Sequence, residues 1–320
     1  MTQSALRRRS TGRPRVDRAA RPRRSTARTQ RSAYLLLSPW MVGVALLTIG
    51  PMVASLWLSF TDYDLFDPPH WVGLRNYATM FQHDPRFWHA SWVTLRYVVF
   101  SVPLKLGLAL AVALAVNRAR RGLGFYRAAF YGPSLLGATV SLAVVWRAMF
   151  ESHGVVDRVL AAFGLRTGGW IDQPQYALFA LVALAVWQFG TPMVIFLAGL
   201  KQVPAELYDA AATDGAGRLR TFWSVTLPML SPVVLFNVVL ETIHAFQAFT
   251  GSYVVSGGRG GPSDATLFYT LYIYQRGFTD FRMGYAAAMA WILLLVVAGV
   301  TALLFRLARS WVFYTGEDRG

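Results

Sequence analysis

A chain of 320 residues that is 55% hydrophobic and only 15% charged has the balance of a protein dissolved in lipid rather than in water. The formal net charge of +15 raises nucleic-acid binding as a possibility, but the basic residues segregate along the chain in a pattern that excludes it. With no cysteine, disulfides, thiolate nucleophiles and cysteine-based metal sites are excluded as well.

The first 33 residues are rich in Arg, Ser, Thr and Pro and hold almost nothing apolar, so they are expected to form a disordered tail. Its arginines suit anionic headgroups, and a solvated arm that only sets orientation accounts for them equally well. The apolar run that follows is about twice the length of a signal-peptide core and has no small-x-small cleavage site, so it reads as a retained span. Uncharged stretches occur at 32–61, 106–117, 128–146, 173–200, 221–240 and 283–305. Several exceed the ~20 residues that cross a ~30 Å hydrocarbon core. They predict an all-α membrane protein with six transmembrane helices near 34–60, 90–117, 126–149, 175–200, 225–250 and 284–307, the second carrying Arg96 and Lys105.

Eleven arginines precede residue 32, and Arg118, Arg120, Arg121 and Arg127 lie between spans two and three. Lys201, Arg218 and Arg220 follow span four, and Arg306, Arg309 and Arg319 follow span six. These 21 basic residues fall on one side, against seven on the other (Arg75, Arg86, Arg158, Arg166, Arg259, Arg276 and Arg282). That asymmetry predicts an N-in, C-in topology, with the lipid bilayer and no nucleic acid as partner.

Three loops then fall outside, near 61–89, 150–174 and 251–283. The first mixes aromatic and turn residues and predicts an ordered cap with a short amphipathic helix around 74–82. Asp62, Asp64 and Asp67 lack the Gly and closing Glu of an EF-hand, and His83 and His89 stand alone, so no metal site is expected. Gly257-Gly258-Arg259-Gly260-Gly261-Pro262 is no phosphate loop, because no Lys-Ser/Thr follows it. No nucleotide-binding motif occurs, and no cofactor is expected.

Between spans four and five lies the polar segment 204–228. Pro204 suits a first helical position, with Glu206 and Asp209 favourably near the helix N-terminus. The run 205–213 forms a helix that Asp214-Gly215 ends, with Gly215 in the left-handed conformation. A second short helix near 217–224 leads to Leu227-Pro228, where span five starts. Asp209-Ala210-Ala211, Gly215, Val225 and Leu227-Pro228 resemble the "EAA loop" of permease subunits of binding-protein-dependent ABC importers, with Asp209 in place of the usual Glu. The resemblance extends over roughly residues 33–315. Ser59–Tyr63, Val72–Tyr77, Gly257–Pro262, Tyr272–Tyr274 and Met283–Ala286 are similar to segments of the maltose- and glycerol-3-phosphate-type sugar permeases.

What the resemblance implies is a non-catalytic transporter subunit in a bacterial cell membrane, with a 34–310 permease domain and a C-terminal tail at 311–320. Its expected partners are a second permease subunit, two copies of a cytoplasmic ABC ATPase and an extracytoplasmic sugar-binding protein, with a carbohydrate as substrate. Asp209, Ala210, Ala211, Asp214, Gly215, Leu227 and Pro228 would couple it to the ATPase. For the substrate pathway the residues themselves nominate span five, where Asn237, Glu241 and His244 share one helical face bordered by Gln247. An ionisable group within a span costs about 2.5–3.5 kcal/mol, so Glu241 needs a wet cavity or a partner, and Lys105 is the candidate partner. Interhelical contact, within this chain or with the second permease, is the competing role for these span-five residues; Trp187, Gln188 and Thr191, just before Pro192, are the candidates from span four. A secondary carrier working without an ATPase is the alternative, and it would leave the 204–228 loop unexplained.

Overall fold

A computed structural model describes residues 27–117, 123–136, 139–164 and 168–312. Most of the expected arginine tail and the residues after 312 lie outside that set, as do Arg118, Arg120 and Arg121. The described chain falls into one unit up to Val53 and a second from Ala54 onward.

The first unit contains α1 (Ala27–Val44), one wide π turn at Ala45–Ile49 and the start of α2 (Gly50–Leu58). Leu36–Leu58 is long and apolar enough to cross a membrane, as the uncharged run 32–61 predicts.

Among its described residues the regular elements of the second unit are all helices, joined by turns and loops, with one isolated bridge between Thr61 and Trp71. The expected cap helix is α3 (Arg75–Gln82), anchored by Asn76, whose side-chain amide donates to the carbonyls of Ser59 and Thr61 at 2.9 and 2.8 Å. The loop acids are engaged nearby rather than idle. Asp64 Oδ1 accepts from the backbone N–H groups of Asp67 and Phe66, which hold its carboxyl below the ordinary value, and Asp62 Oδ1 accepts from His70 N–H.

The long α4 (Pro85–Asn117) is the axis of the unit. One face of it, from Phe87 through Val93, Tyr97 and Leu106 to Val116, is buried. It packs against α8 (Pro174–Trp187), α9 (Gly190–Leu200) and α12 (Leu227–Phe246), and α9 in turn contacts α5 (Leu123–Leu136) and α12. Then α6 (Val140–Phe150) packs on α7 (Val155–Ala162) and α13 (Thr250–Val255). Finally α15 (Met283–Ala308) lies against α12, α14 (Tyr269–Tyr274) and α3.

Among the described residues four helices are long and apolar enough to span: Leu36–Leu58, Pro85–Asn117, Arg218–Val255 and Met283–Ala308. The expected fourth span is a pair, α8 and α9, bent by 42° at Gln188–Phe189. Pro192 supplies a cause, since it has no N–H to donate to the Gln188 carbonyl four residues back. The expected third span, 126–149, is divided between α5 and α6. Thr139 is extended at ψ 150° and caps α6 by accepting from Leu142 N–H, so a fresh helix begins there instead of an unbroken one.

Candidate functional site

Three apolar helices bring several of their polar side chains to one cavity of about 390 Å³. From α4 come Tyr97, Ser101 and Lys105, spaced four residues apart and therefore close to one face. Gln188 enters from the α8–α9 break, and Glu241, His244 and Gln247 from the end of α12. Phe249 and Phe268 add aromatic surface. The volume lies within the about 300–1,000 Å³ usual for small-molecule sites, and the lining alternates donors and acceptors with rings.

The expected partnership of Lys105 and Glu241 is present. Lys105 Nζ donates to Glu241 Oε2 at 2.7 Å, with side chains only 14% and 10% exposed. Neither charge faces lipid alone, which resolves the insertion cost that each would carry singly.

The other pathway candidates are placed elsewhere. Asn237 is 1% exposed, its Nδ2 has no hydrogen-bond partner, and it does not line this cavity. Trp187 faces a shallow groove beside Trp146 and Met149. Thr191 lies past the break, in another groove with Tyr131 and Val194. The bend at Gln188–Phe189 separates it from Trp187, although the two are four residues apart.

The 204–228 segment is a helix–turn–helix. Its first helix is α10 (Ala205–Thr213), as the sequence predicts, with Pro204 as the capping residue at ψ 134° rather than the first helical one. Gly215 has φ +69°, its N–H donates to the Ala212 carbonyl at 3.0 Å, and Ala216 N–H reaches back to Ala211 at 2.9 Å. This pair of bonds is a Schellman closure, which satisfies carbonyls that a helix end leaves open. Asp209, Ala210, Asp214 and Gly215 are exposed, while Ala211 is buried and Leu227 and Pro228 are half-buried. The second helix is shorter than expected: α11 (Arg218–Thr221) passes through a π turn at Phe222–Thr226 directly into α12. Leu227 N–H bonds back to Phe222, five residues away, a widening placed just before Pro228 and its missing donor. Tyr208 Oη lies 3.3 Å from Thr226 Oγ1 and joins the two limbs.

A profile of the family described as "Binding-protein-dependent transport system inner membrane component" matches residues 86–312. The chain belongs to this family. It is therefore a multi-pass inner-membrane permease subunit, a class that does no covalent chemistry itself. The permease is 44% identical to "Probable ABC transporter permease protein YesP" of Bacillus subtilis, covering 94% of this chain and 97% of that one. It is 34% identical to "Trehalose/maltose transport system permease protein MalF" of Thermococcus litoralis, over 78% of this chain and 84% of the other. A chain of a bacterial alginate ABC transporter, crystallised with an alginate pentasaccharide-bound periplasmic protein, shares the fold at a TM-score of 0.75 and 20% identity, covering 88% of the permease and 96% of that chain.

Sequence reasoning passed over Tyr97 and Ser101 in the permease cavity, although their spacing to Lys105 is the same signal that singled out Glu241 and His244. It also missed a cluster around Asp84, at the start of α4. Asp84 Oδ2 accepts from Tyr272 Oη at 2.6 Å and Tyr285 Oη at 2.7 Å, and lies 3.3 Å from Arg276 Nη2. Arg276 also donates to Asp280 and to the Tyr272 hydroxyl. Burial alone would raise the Asp84 carboxyl; the Tyr272 and Tyr285 hydroxyls, the Phe87 N–H and the Arg276 charge outweigh it and hold the carboxyl below its ordinary value. These partners are 188 to 201 residues away in sequence, so no local pattern announces them.

Proposed function

We propose that the permease forms half of a translocation pathway for a sugar or oligosaccharide and couples it to a separate cytoplasmic ATPase. The coupling element is the helix–turn–helix at 204–228, with Asp209, Ala210, Ala211, Asp214, Gly215, Leu227 and Pro228 forming or positioning the docked surface. A second permease completes the pathway, two ATPase copies drive it, and an extracytoplasmic binding protein delivers the substrate. The N-in, C-in orientation puts the knob on the ATPase side.

The observation that carries this proposal is the knob itself. An exposed, Gly-turned helix pair between two apolar spans is of little use to a carrier that works alone, and its residues keep the family spacing apart from Asp209 in place of Glu. The cavity supports the carbohydrate part: Gln188, Glu241, His244 and Gln247 offer hydroxyl partners, and Phe249 and Phe268 offer faces for the apolar side of a ring. The relative named for trehalose and maltose transport points to the same substrate class.

The test is a mild-detergent pull-down of the tagged permease from its native membrane, followed by mass spectrometry. Recovery of an ATPase and a second permease is expected. A stable complex with no ATPase would overturn the coupling role of 204–228 and make a self-contained carrier the better account.

A further inference from the structure

The Lys105–Glu241 pair does more than brace α4 against α12. A brace buried this deeply is as well made from apolar side chains, since replacing a buried ion pair by well-packed hydrophobes is often neutral or stabilising. This pair instead forms part of the cavity wall, and both of its members face the space. Their single mutual hydrogen bond, Nζ to Oε2, engages one of three lysine donors and leaves carboxylate acceptor sites unspent. Among the described residues no other Asp, Glu, Lys or Arg lines the cavity, so the two charges offset each other and the wall offers charge-strengthened donors and acceptors side by side. The 2.7 Å between Nζ and Oε2 is close to the separation of neighbouring hydroxyl oxygens on a pyranose ring. Phe249 and Phe268 in the same wall suit the apolar face of such a ring.

We propose that Lys105 and Glu241 form a diol-recognising subsite, the lysine donating to one hydroxyl and the carboxylate accepting from its neighbour on one uncharged sugar residue. This rests on the cavity being the sugar pathway proposed above, and it names the chemistry that the pathway selects at this point. A charged group on the same sugar residue finds no free counter-charge here, because each partner is already neutralised by the other.

Two variants separate recognition from bracing. Lys105→Met with Glu241→Leu keeps apolar packing between the helices and removes the polar pair. Lys105→Arg keeps the ion pair, but its longer, rigid planar fork replaces the compact ammonium, so donor and acceptor no longer stand at the spacing of neighbouring hydroxyls. Each is co-purified with its partner subunits, checked for assembly by gel filtration, and reconstituted in phospholipid vesicles with saturating binding protein. Uptake of radiolabelled trehalose, maltose, lactose and glucuronic acid is then measured. The subsite predicts that both variants assemble and that import of whichever neutral sugar the wild type carries falls by about tenfold or more. It also predicts that the wild type does not carry glucuronic acid, whose import would overturn it. Wild-type rates in the assembled variants would overturn the subsite and leave the pair a brace. If the apolar pair fails to assemble, the Arg variant alone decides. A wild-type assembly that hydrolyses ATP and imports none of the four would count against the sugar pathway itself, and the subsite with it.

Discussion

Gly215 occupies a left-handed backbone conformation, φ +69°, in a place where an added Cβ would meet nothing within 4 Å. Its constraint is therefore conformational and not steric. A β-branched residue there would carry a penalty of about 1–2 kcal/mol or more in the folded turn. Gly215→Val should open the Schellman closure between α10 and α11, misalign the knob and sharply lower uptake, while the protein still inserts in the membrane. Transport assays beside quantification of the membrane fraction check this, and normal uptake would remove the coupling account of the loop. Both this glycine and the Lys105–Glu241 pairing could be read from the chain. Gly215 was visible because a local pattern, helix then Asp-Gly then helix, specifies its geometry. The pair was visible because two charges in apolar spans each need a partner.

At the scale of elements, α9 shows how glycine sets distance instead of direction. A Cβ on Gly190 would sit 2.5 Å from the Phe130 carbonyl of α5, and one on Gly199 would sit 2.8 Å from Leu230 of α12. Small residues at such positions let helices approach within a membrane, where lipid supplies no hydrophobic drive to squeeze them together. Gly190→Val should force α5 and α9 apart at a cost of about 1–3 kcal/mol, read as a lower melting temperature of the detergent-solubilised protein. Gly299→Val on α15, where an added Cβ meets nothing within 4 Å, is the control and should leave the transition where it is. The helices themselves follow from apolar length, yet α5–α6 and α8–α9 break where the hydropathy runs on unchanged. Composition over 20 residues cannot see one extended Thr139 or one missing amide at Pro192.

On the scale of the whole molecule, the Asp84 cluster ties the start of α4 to α14 and α15 through hydrogen bonds that close nearly 200 residues of chain. Because the Asp84 carboxyl is held below its ordinary value in the fold, its ionised form stabilises the structure. That contribution is complete above the unfolded-state value near ~3.9 and is lost as pH falls through the lower, folded one. Asp84→Asn should lower stability by about 1.5–3 kcal/mol at neutral pH, the range for hydrogen bonds to a charged group. It should also flatten the acid limb of the stability profile, and thermal unfolding followed from pH 7 down to 3 compares the two proteins. A variant as stable and as acid-sensitive as the wild type would count against the cluster as a tie.

The chain alone determined that this is a lipid-dissolved helical protein, where its polar knob lies and which family it belongs to. Those properties depend on composition, charge asymmetry and short-range spacing, which are written consecutively. It also marked Glu241, His244, Gln247 and Gln188 as polar exceptions in apolar helices, and these do share a cavity. Only the tertiary structure decided that Tyr97 and Ser101 join them, that Trp187, Thr191 and Asn237 do not, and that Asp84 binds two distant tyrosines. Helical spacing gives the face a residue occupies but not what that face meets, because the rotation and bend of each helix are set by the neighbours it packs against.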